Sequence, residues 1–81
     1  MHKMMSEILA YYDKEVIMMI MEKYNMSFAD AADSFMMSQT HNMLEDVRYG
    51  MDEFGFPGIF DIWECERITG DPRNSVYIRG E

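Results

Sequence analysis

The sequence predicts an all-α domain: a small bundle of three to four short helices with an ordered loop and an extended C-terminal tail. Three observations predict it. Apolar residues recur at helical spacing over residues 4–24 and 57–70. Helix-stopping and helix-capping residues, Asn25, Ser27, Ser38 and Gly70, fall between the apolar stretches. The one β-leaning segment, Val76-Tyr77-Ile78, is too short to build a sheet alone. The 81 residues suffice for one domain at most, read as spanning 1–81 with residues 71–81 extended, and 48% hydrophobic residues supply a core.

Residues 4–24 read as the first helix. Met5, Ile8, Leu9, Tyr12, Val16, Met19 and Ile20 form its main core stripe. Within it, Val16 to Met21 is an unbroken apolar run. Each residue turns the chain by about 100°, so the run cannot lie on one face and needs cover on more than one side. The chain is expected to organise around this stretch. A narrower line, Met4, Tyr11 and Met18, recurs on heptad spacing and seats a neighbouring helix. That neighbour is either a later helix of the same chain or a partner.

Asn25 tolerates the left-handed conformation that ends a helix. Ser27 caps the next helix, with Asp30 three residues on in a capping-box-like position. Phe28, Ala31, Ala32 and Phe35 make its inward stripe, and the short connection favours an antiparallel pair. Ser38 caps a third, short helix whose apolar side is Thr40, Met43, Leu44 and Val47. Two glycines and three aromatics within residues 48–56 predict an ordered loop, because interior Gly costs a helix about 1 kcal/mol against Ala. Pro57 suits a first helical turn and Gly70 a helix end, so Ile59, Phe60, Ile62, Trp63, Cys65 and Ile68 form the last helix. Asp71-Pro72 blocks its continuation.

The net charge of −8 lies in the middle of the chain. Residues 26–66 hold nine acids against Arg48 alone, while the two flanks nearly balance. Phosphate backbones need a basic surface, so nucleic acid is excluded as a partner and a basic protein is favoured. No apolar run approaches the ~20 residues that span a bilayer, and acids at Glu7 and Asp13 interrupt any leader-like segment. A single cysteine suits a reducing compartment, and a cytoplasmic location is expected.

Catalytic chemistry finds little to work with. Cys65 and His41 are the one nucleophile and base, and Glu64 and Glu66 beside the thiol would raise its pKa. His2, His41 and the carboxylates lack metal-ligand spacing, and Gly55-Phe56-Pro57-Gly58 lacks the Lys and Ser/Thr of a phosphate loop. No cofactor, metal or enzymatic activity is expected. Glu66 falls near the apolar sector of the last helix, where a carboxylate needs a partner; Arg73 or Arg79 would supply one from the tail. Trp63 and Arg67 are spaced for a cation–π contact. Adjacent methionines (Met4-Met5, Met18-Met19, Met36-Met37) cannot both face inward, so some thioethers are expected on an association surface.

Several of these residues carry a resemblance. Glu22-Lys23-Tyr24-Asn25-Met26-Ser27, Asp30-Ala31-Ala32, Phe35 to Leu44 with Ser38-Gln39-Thr40, Ile59-Phe60-Asp61-Ile62-Trp63-Glu64 and Thr69-Gly70-Asp71-Pro72-Arg73-Asn74-Ser75 resemble segments of short uncharacterised proteins from gut-type anaerobic bacteria. Such proteins are encoded beside other small proteins, some like parts of toxin–antitoxin or phage-defence loci. The resemblance implies a binding or neutralising role and assigns no site residues.

The functional expectation is a cytoplasmic protein-interaction module, antitoxin-like or adaptor. It would bind a protein partner through Met4, Tyr11 and Met18 and through acidic Asp30, Asp33, Glu45 and Asp46. A homodimer that exchanges its tails is the alternative.

Overall fold

In the computed structural model, which describes residues 3–80, the chain forms five α-helices. They are α1 (Ser6–Tyr24), α2 (Phe28–Met36), α3 (Gln39–Glu45), α4 (Gly55–Thr69) and α5 (Val76–Arg79). Short 3₁₀ turns at Val47–Tyr49, Met51–Phe54 and Pro72–Asn74 connect them. The all-α small bundle expected from periodicity is present. Its radius of gyration, 11.8 Å, matches the value of about 12 Å for a compact chain of this length.

Local chemistry sets the helix ends. Asn25 closes α1 in the left-handed conformation at φ 54°. The Ser27 hydroxyl accepts from the Asp30 N–H at 3.2 Å, starting α2. The Ser38 hydroxyl accepts from the His41 N–H at 3.1 Å and donates to the Phe35 carbonyl at 2.6 Å, so one side chain ends α2 and starts α3. Gly70, at φ 86°, closes α4 where a side chain would be strained. The helix begins two residues ahead of Pro57, which still lies in its first turn.

Packing centres on α4 rather than on the Val16–Met21 run. It lies against α1, α3, the Met51–Phe54 turn and both tail elements. Ile59, Phe60, Ile62 and Trp63 are buried with Val16, Ile17 and Ile20 of α1, Ala31 and Phe35 of α2, and Leu44 of α3. Trp63 reaches α1 and α2 together: its ring meets Tyr24 edge-on at 5.7 Å, and its N–H donates to the Ser34 carbonyl at 3.3 Å. The apolar run of α1 needed cover over a wide arc and receives it, except at Met18, which faces water.

Three expectations fail in instructive ways. The core stripe of α1 does not extend to its first turn, where Met5 and Ile8 are exposed; packing on the core begins at Leu9 and Tyr12. Phe28, Val47 and Ile68 sit in inward-reading positions at helix ends and are likewise exposed.

The tail is not extended. Asp71 and Ser75 each cap a helical turn through their side chains, accepting from the N–H two residues on. The Ser75 hydroxyl also donates to Asp61 of α4 at 2.9 Å. The tail thus folds back on α4. Gly58 permits the approach, since a Cβ there would stand 2.7 Å from Phe54 Cβ and 3.2 Å from the Tyr77 ring.

Candidate functional site

The helix flank expected to bind a partner is only partly presented. Tyr11 and Met18 lie on the outer side of α1, 51% and 52% exposed. Met4 is not on that line. It precedes α1, is 8% exposed, and its N–H donates to the Glu45 carbonyl at 2.6 Å. The heptad reading fails there because residue 4 is not helical. Met5 and Ile8 take its place as exposed apolar residues at the start of α1. The Tyr11 ring meets Tyr12 and Phe56 edge-on at 5.7 and 6.0 Å, which holds one side of it against the fold.

Much of the acidic middle is engaged internally. Asp46 accepts from the backbone N–H and guanidinium of Arg48. Glu64 receives Lys23 Nζ and the Tyr24 hydroxyl, each at 2.6 Å. Burial pushes the Glu64 carboxyl up, but these two hydrogen bonds outweigh it and hold its pKa below the ordinary value. Asp61 accepts from Ser75. Asp30 and Asp33 on α2 are exposed, joined by Asp52 and Glu53.

Glu66 caps α3. Its carboxylate accepts the N–H groups of Gln39 and Thr40 at 3.0 and 2.9 Å, and the Thr40 hydroxyl at 2.7 Å. Arg73 is held by Asp71, two residues before it, with Nε 3.0 Å from Oδ1. The expected cation–π pair forms: the Arg67 guanidinium lies 5.6 Å from the Trp63 ring and 4.9 Å from that of Tyr24.

The polar cluster that pattern reading missed surrounds His41. This residue is 3% exposed. Its Nε2 lies 2.9 Å from Asp13 Oδ1 on α1, and its Nδ1 lies 3.2 Å from Glu45 Oε1 on the next turn of α3. The Nδ1 contact is an ion-pair approach whose angle is poor for a hydrogen bond. The Phe35 ring packs edge-on at 5.1 Å, and Lys3 Nζ approaches Glu45 at 3.8 Å. The i,i+4 spacing of His41 and Glu45 was visible in sequence; Asp13, on another helix, was not. The ring nitrogens face these carboxylates rather than Cys65, which is half-buried in α4. His2 lies outside the described residues, and among those described no group of three or more His, Cys, Asp or Glu is placed to hold a metal ion.

Surface concavities are small. A slot of about 200 Å³ is lined by Met43, Tyr49, Met51, Phe54, Tyr77 and Ile78, with Arg73 at its rim. A second, of about 300 Å³, lies between α2 and α4 beside Trp63, Met37 and Arg67. Comparison found no matching family model, no matching curated protein and no matching solved structure. Among the described residues, no helix is long and apolar enough to cross a membrane.

Proposed function

We propose that this protein is a small interaction module, antitoxin-like or adaptor in role, that binds a basic protein partner through the outer face of α1. The observation that supports this reading most directly is the half exposure of Tyr11 and Met18 on a helix that buries Val16, Ile17 and Ile20 in the core. Evenly scattered apolar exposure is ordinary, but large apolar groups gathered on one helix mark association surfaces. Met5 and Ile8 enlarge the apolar area at the start of the helix.

Magnitudes limit what this face does alone. Completing the burial of a half-exposed Tyr or Met contributes on the order of 1 kcal/mol. Four such side chains do not offset the entropy of association, so further contacts and charge must contribute. The net charge of −8 supplies a field that steers a basic partner and disfavours an acidic one. Asp30, Asp33, Asp52 and Glu53 are its exposed sources in the middle of the chain. Binding would act by occluding the partner's own surface, with no chemistry at the interface.

Met18→Asp tests the reading, because it inverts the character of the face with little cost to the fold. The tagged wild type and this variant are used to capture partners from the native cell extract at low and moderate salt. The expected result is one stoichiometric basic protein that wild type retains at low salt, releases at moderate salt, and that the variant fails to hold. A variant that keeps every wild-type partner and the same oligomeric state overturns the proposal. The apolar face also suits a second copy of the chain, and light scattering at micromolar concentration distinguishes that reading by mass.

A further inference from the structure

We propose that Asp13, His41 and Glu45 form a proton-operated clamp that fastens α1 and the N-terminal segment to α3, and that loss of its proton loosens that segment. The inference is independent of the partner-binding face.

The geometry calls for one extra proton. A neutral imidazole has one N–H and one lone pair. Here both ring nitrogens face carboxylate oxygens, at 2.9 and 3.2 Å. A neutral ring would leave two carboxylates without a nearby positive charge from it in a site nearly closed to water, one of them beside a nitrogen that carries a lone pair. With the proton bound, the imidazolium donates Nε2–H to Asp13 and sets its positive charge 3.2 Å from Glu45. The cluster then carries three charges of net −1, and Lys3 lies beside Glu45 at 3.8 Å.

The surroundings define what acts on the proton. Asp13 comes from α1 and Glu45 from α3 itself. From α2 comes the uncharged Phe35 ring. Glu66 of α4 is nearby but spent on the N–H groups of Gln39 and Thr40. The start of α3 opposes the positive ring, since a helix N-terminus disfavours cations. Burial also pushes the His41 pKa down, but the hydrogen bond to Asp13 and the charges of Asp13 and Glu45 outweigh it, leaving the pKa above 6.5.

The clamp is wired to the N-terminal segment through Glu45. Its carbonyl accepts the Met4 N–H at 2.6 Å, and the next residue, Asp46, forms a β-bridge with Lys3. Because the folded pKa is raised, stabilisation from the proton is complete below about 6.5 and is lost as pH rises through the folded value. Opening of the segment should therefore become easier across that same interval.

The experiment is imidazole ¹⁵N NMR of the whole protein across a pH series, with the His2 signal assigned by His2→Gln. Amide exchange at Met4 is followed in parallel and corrected for intrinsic rates. The expected result is a doubly protonated His41 near neutral pH with a midpoint above 6.5, lowered in both Asp13→Asn and Glu45→Gln. Protection of the Met4 amide should fall about tenfold for each unit by which the midpoint exceeds 6.5. A His41 midpoint at or below 6.5, or Met4 protection that stays constant through the midpoint, overturns the proposal. The direct ring measurement on wild type does not depend on either variant folding.

Discussion

Glu66 shows how a single carboxylate can be located correctly and partnered wrongly. Its place near the apolar sector of α4 is legible from helical geometry, and so is its need for donors. The donors are the first N–H groups of α3, some 27 residues upstream, and no local pattern links the two positions. Arg73, one of the two expected partners, finds a nearer acceptor in Asp71 because an Asp before Pro readily bonds the chain two residues on. The Glu66 contacts are charge-assisted and partly buried, so they contribute more than surface pairs do. Glu66→Gln keeps the shape but weakens the acceptor, and should cost about 1–2 kcal/mol. For a domain of this size that lowers the melting temperature by roughly 5–15 °C. Thermal denaturation followed by circular dichroism measures it; an unchanged midpoint would mean that water replaces the carboxylate at the start of α3.

At the scale of elements, caps were legible and facing was not. Asn25, Ser27, Ser38 and Gly70 mark their helix ends correctly because a cap is made between residues a few positions apart. Which side of α1 is covered depends on where α2 and α4 lie, which is not local. Hence Met5 and Ile8 fall on the predicted stripe and still face water. In the tail, the β preference of Val76-Tyr77-Ile78 yields to the Ser75 cap and to the bond from Ser75 to Asp61. The neighbours Ile17 and Met18 make the facing of α1 measurable. Ile17→Asp places an unpaired charge in the core and should unfold the domain or cost it at least ~3 kcal/mol. Met18→Asp should shift stability by about 0.5 kcal/mol or less. Similar losses in both variants would show that Met18 is covered in solution.

For the molecule as a whole, the sequence-level charge imbalance was real but its use was only half visible. The acids of residues 26–66 read as a surface for a partner, yet Asp61, Glu64 and Glu66 each join two parts of the fold, and Glu45 and Asp46 pair with His41 and Arg48 close by in the chain. A carboxylate that bridges two helices and one that awaits a ligand look alike until the helices are placed. The same holds for His41, whose two partners come from different helices. What remains for outward recognition in that stretch is a smaller set of exposed acids, Asp30, Asp33, Asp52 and Glu53.

The distribution of methionines has a chemical consequence. Met5, Met18, Met36 and Met37 stand in solvent, Met37 at 84% exposure, whereas Met4 and Met51 are enclosed. Oxidation to the sulfoxide follows access and turns a pliable apolar side chain into a polar one. Mild peroxide should therefore modify Met37 and Met18 well before Met51, an order that mass spectrometry of proteolytic fragments reads directly. Equal rates at Met51 and Met37 would contradict the packing. An oxidant would reach Met37 and the outer surface of α1 before the core and make them hydrophilic while the helices stay packed, so brief oxidative exposure would change what the surface attracts before it changes the shape.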